Sequence, residues 1–148
     1  MRDNVESAFV DINVLVYAAY QDSPHHGASR ALIEEAQRGE LQRCLAPQVL
    51  MEFYAVVTNP RRVSQPRPPQ EAVGAMNAEV ESPGFLLFPV PADLIAQGIG
   101  LIQRSPVAGA AVYARQLAAT MLGHGVRRIY TSNTWDFQQI PEIEALTP

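Results

Sequence analysis

The sequence predicts an α/β fold: a three-layer α/β/α sandwich around a mostly parallel sheet. Three observations predict it. Short apolar runs suited to buried strands alternate with longer stretches of helical periodicity, the pattern of strands joined by helical crossovers. Prolines and glycines punctuate the ends of those stretches. The chain has 148 residues, 47% of them hydrophobic, which suits one domain with a sizeable core. No internal repeat, low-complexity tract or interdomain linker divides it, so residues 1–148 read as a single domain.

Ala8-Phe9-Val10 reads as a buried strand, and Asn13 to Ala19 as the helix that follows. Pro24 to Arg38 is a second helical stretch, with Ala28, Ala31, Leu32 and Ala36 on its apolar side and Gly39 as its stop. Leu41 to Ala46 is a strand candidate. Pro47, in a favoured first-turn position, opens a helix to about Asn59, and Pro60 ends it. Arg61 to Pro69, with its three prolines and three arginines, is an exposed turn. Gln70 to Val80 is helical, Pro83-Gly84 breaks it, and Phe85 to Phe88 is a strand candidate. Ala92 to Gln103 and Val112 to Leu122 are the last long helices, the second ended by Gly123 and Gly125. Ile129-Tyr130-Thr131 is a buried strand, and Ile143 to Leu146 a short final one.

The formal net charge is -4, unlike a strongly cationic nucleic-acid binder, so any nucleic-acid contact must use a local patch or a bound metal. Every basic side chain is arginine, which suits bidentate phosphate contacts and equally reflects genome composition. No apolar run reaches the roughly 18 residues of a membrane span. The acidic start, Met1 to Glu6, lacks the apolar region of a signal peptide. With Cys44 alone, no intramolecular disulfide forms, and a reducing, cytoplasmic setting is expected.

In an open parallel sheet, sites lie beyond the C-terminal ends of strands. Asp11 stands directly after the first strand, in an apolar run, where it could cap the next helix or do chemistry. Asn13, two residues on, could orient a carboxylate. Glu52 shares a helix face with Val49, Phe53 and Val56. Burying it ionised without a partner is costly. A metal would supply that partner; an edge position or a nearby arginine would also suffice. The segment Tyr130 to Phe137 follows a buried strand and offers hydroxyls, the Asn133 amide and the Asp136 carboxylate in one loop. Oxygen ligands of this kind favour Mg²⁺ or Mn²⁺, ions that activate water and stabilise charge on a phosphoryl group. His25, His26 and His124 read as surface residues, not a metal set.

At these residues the chain resembles the PIN-domain nucleases, specifically the VapC-like ribonuclease toxins of prokaryotic toxin–antitoxin pairs. Val10 to Ala18, Glu52 to Pro60 and Thr131 to Phe137 match the family's three main motifs, in order. The resemblance implies Mg²⁺- or Mn²⁺-dependent cleavage of RNA by a cluster of acids. Asp11 matches the first acid, Glu52 the second, and Asp136 with Asn133 the last site. The family's third acid lies in a Gly-x-x-Val-x-Asp frame before a small-residue helix. Gly109, Val112 and Leu117-Ala118-Ala119-Thr120 match the frame, and Ala114 holds the aspartate position. Ala114 is thus read either as natural degeneracy or as an inactivating Asp→Ala substitution, and the chain is expected to have little or no nuclease activity. The alternative is an inactive scaffold that binds antitoxin or RNA without cutting.

Phosphates need cationic contacts, for which Arg61, Arg62, Arg67 and Arg115 are candidates, each otherwise a solvated surface arginine. Arg127 and Arg128 read as pointing away from the site. The resemblance also implies an antitoxin, RNA and a second copy of the chain as partners. Phosphoacceptor folds also place an aspartate after the first strand, but they use a site lysine, and the chain contains no lysine.

Overall fold

Strand β1 (Ala8–Val10) is three apolar residues, all fully buried, and it lies at the centre of the sheet. The computed structural model describes residues 7–148; the segment 1–6, read above as lacking a signal sequence, lies outside the described residues. Strands β2 (Arg43–Leu45), β3 (Phe85–Leu87), β4 (Arg128–Tyr130) and β5 (Glu144–Leu146) complete a five-stranded sheet of order β3-β2-β1-β4-β5. Every neighbouring pair is parallel, with Phe9 in register with Cys44 on one side and Ile129 on the other.

Among the described residues, six helices connect the strands: α1 (Ile12–Ala19), α2 (His26–Gln37), α3 (Pro47–Val57), α4 (Pro69–Glu81), α5 (Ala92–Arg104) and α6 (Val112–Gly123). Helices α3 and α4 each start at a proline, whose missing N–H costs nothing in a first turn. The main helix contacts fall into two sets: α1 with α2 and α3, and α3 with α4, as against α5 with α6. Gly98 faces Ala119 across the second pair, so those two helices approach closely. The core runs between sheet and helices through Phe9, Val10, Phe53, Ile129 and Phe137.

Helix α2 departs from the sequence reading twice. It begins at His26 and not Pro24, because His25 takes a left-handed conformation (φ 57°) that interrupts the chain's entry into the helix. Its buried side chains are Ser29, Ile33 and Ala36, while Ala28 and Ala31 face solvent and Leu32 is half-buried. Ile33 offers more apolar area than the alanines, so its face turns inward. Gly84 precedes β3, where its N–H bonds Ala36 O at 2.9 Å and its carbonyl accepts from Arg43 N at 2.7 Å. A side chain there would meet the backbone, with Leu41 O only 2.6 Å from an added Cβ.

The chain builds β1, β2 and β3 outward in one direction, then returns so that β4 pairs with the other edge of β1. That reversal opens a crevice at the C-terminal ends of β1 and β4, the place where open α/β sheets bind ligands.

Candidate functional site

Asp11 follows β1 directly, and its backbone N–H bonds Tyr130 O at 3.0 Å, so β4 fixes its position. Its carboxylate accepts from Ile12 N at 2.8 Å as the cap of α1, and from Thr131 Oγ1 at 2.9 Å. Asn13 Nδ2 donates to the same carboxylate at 3.4 Å and to Thr131 Oγ1 at 3.2 Å, while its Oδ1 accepts from Ser132 N at 3.0 Å. Capping and site placement therefore coincide in Asp11.

Glu52 stands at the edge of the α3 apolar stripe, half-buried, while Val49, Leu50, Phe53 and Val57 take the core. Asp136 lies in a short 3₁₀ turn, Thr134–Phe137, which Asn133 precedes. Asn133 N donates to Thr131 Oγ1 at 3.0 Å, and Asp136 N to Asn133 O at 3.1 Å. Ala114 sits in the first turn of α6.

These residues meet. Asp11, Glu52, Ala114, Asn133 and Asp136 all line one pocket of about 190 Å³. Gln48 and Tyr113 line it too, and neither was singled out from the sequence. Gln48 was within reach of that reading, since it stands four residues before Glu52 on the same helix face. Burial pushes the Asp11 carboxyl above its ordinary value; hydrogen bonds from Thr131, Ile12 and Asn13 oppose the rise, and the charge of Asp136 adds to it. Burial likewise raises Glu52, and the charge of Asp11 adds to that rise. The carboxylates thus sense one another across the pocket.

Carboxylates and amides are the donors a hard divalent cation takes, and a cation would relieve their repulsion. The set falls short in one respect: among the described residues, no three His, Cys, Asp or Glu side chains stand close enough together to hold a metal ion jointly. Ala114 brings a methyl group to the pocket wall, where a carboxylate would add a donor.

The arginines behave differently from one another. Arg115 is no surface contact for RNA: it is 1% exposed. Its guanidinium donates to Asp136 O at 2.9 Å, Ser105 O at 3.2 Å, Ser105 Oγ at 3.0 Å and Gln139 Oε1 at 3.2 Å. Four acceptor atoms on three residues outside its helix draw it inward and satisfy it there. Arg67 also has a structural post, donating to Ala19 O at 2.7 Å with its guanidinium over the Tyr20 ring. Arg61 and Arg62 are exposed in the turn after α3, while the pocket is lined by the other end of that helix. Arg128 pairs with Glu144 at 3.1 Å, at the start of β4 and away from the crevice.

Of the histidines, His26 Nδ1 contacts Tyr17 O at 2.7 Å and His124 stacks on Phe88, so both have local structural partners. No helix of the described residues is long and apolar enough to cross a membrane.

Comparison with known proteins gives a consistent picture. Residues 8–143 match the family described as PIN domain. Ribonuclease VapC43 of Mycobacterium tuberculosis is 39% identical over 77 residues, a stretch covering 52% of this chain and 52% of that relative, so the chain spans about half the length of this relative in the match. Ribonuclease VapC24 of Mycobacterium tuberculosis is 31% identical over 127 residues, covering 84% of each. Among solved structures, VapBC2 from Rickettsia felis, bound to a DNA fragment from its promoter, superposes with a TM-score of 0.67 at 14% identity, over 95% of this chain and 98% of that one. That likeness shows the shared fold.

Proposed function

This chain belongs to the PIN-domain family, and from that premise we propose a metal-dependent endoribonuclease toxin whose activity is impaired by Ala114. The observation that carries the reading is the single pocket shared by Asp11, Glu52, Asn133 and Asp136, with Ala114 in its wall. The similar ribonucleases VapC43 and VapC24 support RNA as the substrate class. Asp11, Glu52 and Asp136 would each offer a carboxylate to Mg²⁺ or Mn²⁺ in that pocket, and since the three do not close on one point, water would complete the ion's shell. Such an ion supplies water activation and charge stabilisation for displacement at a phosphodiester.

The chain's own residues prepare that chemistry. Thr131 and Asn13 hold the Asp11 carboxylate in one orientation. Asn133 stands beside Asp136 and offers a neutral amide to the same space. Arg61 and Arg62 would meet phosphates that flank the site, not the scissile one. An antitoxin and a second copy of the chain belong to the same reading as partners, on the strength of the family resemblance.

Ala114 separates the enzyme from an inert binding scaffold. With one donor missing, the pocket is expected to hold a cation weakly. Ala114→Asp should bring metal-dependent RNA cleavage at least a hundred-fold above the chain as it stands. Equal rates for the two chains, at saturating Mg²⁺ or Mn²⁺, would remove position 114 from the ligand set. Tight antitoxin binding by a revertant that cuts nothing would favour the scaffold.

A further inference from the structure

We propose that the side-chain amide of Gln48 is a phosphate contact in the acidic pocket: its Nε2 donates to a non-bridging oxygen of the phosphodiester that reacts there. The proposal deepens the ribonuclease reading and rests on it. Gln48 lines the pocket together with Asp11, Glu52 and Asp136. It stands in the first turn of α3, which starts at the C-terminal end of β2, so the fold holds it at the crevice edge of the sheet. Glu52 follows one turn along the same helix face. Gln48 is half-buried, and among the described residues no group exchanges a hydrogen bond with its side chain, Glu52 included. Polar groups withdrawn from water ordinarily have a partner. This amide keeps two N–H donors free inside a pocket of acceptors.

Charge explains what such a donor does. A phosphodiester is an anion, and the pocket presents it with three carboxylates and neither an arginine nor a histidine. With a cation among the acids, one phosphate oxygen turns toward the ion, and the oxygen turned away needs an N–H or O–H donor. Four side chains of the pocket carry one: Asn13, Gln48, Tyr113 and Asn133. Asn13 Nδ2 is engaged with Asp11 and Thr131. Tyr113 is 60% exposed, and Asn133 is exposed in the turn beside Asp136. Gln48 alone of the four is both withdrawn from solvent and unengaged, where a hydrogen bond to an anion counts most. A glutamine amide also suits the edge of a base. The reacting phosphate has to lie among the acids, and Gln48 shares their pocket, which favours the phosphate.

Gln48→Met keeps the length of the side chain and removes the donor. The chain with Ala114 is titrated in Mg²⁺ with two labelled oligoribonucleotides of unrelated sequence. Gln48→Met should weaken binding of both by about ten-fold, the loss of one hydrogen bond to a charged group, and Gln48→Ala should do the same. Circular dichroism and the Mn²⁺ affinity of the RNA-free protein should not change. In the Ala114→Asp chain, Gln48→Met should lower kcat/KM by about ten-fold. At the linkage that chain cuts, sulfur replaces each non-bridging oxygen in turn. Sulfur accepts hydrogen bonds poorly, so one of the two phosphorothioate isomers should slow the parent and lose that penalty in Gln48→Met. Unaltered RNA affinity in both variants would overturn the proposal. So would an effect confined to one RNA sequence, since the amide would then read a base, or weakened Mn²⁺ binding, since it would then hold the ion. Sulfur penalties that are equal in parent and variant for both isomers would reduce Gln48 to a structural role. The two readings fail separately. An Ala114→Asp chain that cuts nothing, with amide-dependent RNA binding intact, refutes the ribonuclease and leaves the contact. An Ala114→Asp chain that cuts RNA equally well with and without the Gln48 amide refutes the contact alone.

Discussion

Thr131 has no exposed surface, and its one hydroxyl joins three partners: it donates to Asp11 and accepts from Asn13 Nδ2 and Asn133 N. Thr131→Val preserves the shape, leaves Asn133 N without this acceptor and takes one hydrogen bond each from Asp11 and Asn13. It should cost roughly 2–3 kcal/mol, since a buried partner left unpaired costs its full desolvation. Thr131→Ser should recover most of that, and chemical denaturation of the three proteins measures both. A cost below that of a simple methyl change would show that water replaces the hydroxyl. Asp11 and Glu52 were legible in the sequence because acids in apolar runs are conspicuous. Thr131 was visible only as one hydroxyl among several, because its carboxylate partner lies 120 positions away.

Helix α4 carries a polar group in an apolar place. Glu79 is 7% exposed, one of its carboxyl oxygens has no hydrogen-bond partner, and burial pushes its pKa up to about 7. An unfolded glutamate titrates near 4.5. Between those values the unfolded chain releases a proton that the folded chain keeps, so stability falls as pH rises through that window and levels off above it. Glu79→Gln should abolish this fall. The variant should match the parent at pH 4 and exceed it at pH 8 by up to roughly 3 kcal/mol, as read from urea melts. Identical pH slopes would mean that the carboxylate reaches water. Element types were largely legible, because prolines open α3 and α4 and glycines follow α2 and α6. Strand ends were less so. Leu41 to Ala46 reads as one strand candidate, yet only Arg43–Leu45 joins the ladder, with Arg43 and Cys44 paired on both sides. Pairing, not hydrophobicity, sets the boundary.

At the scale of the molecule, Arg115 ties α6 to the end of α5 through Ser105 and to the Asp136 turn through that residue's carbonyl. Arg115→Met keeps most of the packing volume and removes the tie. It should cost about 3 kcal/mol, because the half-buried Ser105 and Asp136 carbonyls lose hydrogen bonds from a charged donor. In the Ala114→Asp background it should also lower turnover at least ten-fold, since small misplacements of reacting groups are expensive. Single-turnover cleavage at a temperature where the variant is folded separates the two effects; unchanged turnover would make Arg115 a stability residue alone. The sequence suggested an exposed cation here, because nothing local in α6 announces acceptors that arrive from Ser105 and Gln139. The fold class was legible from alternation alone. The pocket's acids were legible from their places after strands and on the α3 stripe, though Gln48, Tyr113 and the cations that would serve it were not. The strand order has one more consequence, which concerns synthesis. β1 is the first of the five strands to be made, yet its second neighbour, β4, ends only at Tyr130. Asp11 therefore has neither Thr131 nor Asp136 beside it until synthesis has passed residue 136. A chain whose synthesis stops before residue 131 has no assembled acidic pocket, so the carboxylates of this site come together only once β4 and the turn after it have been made.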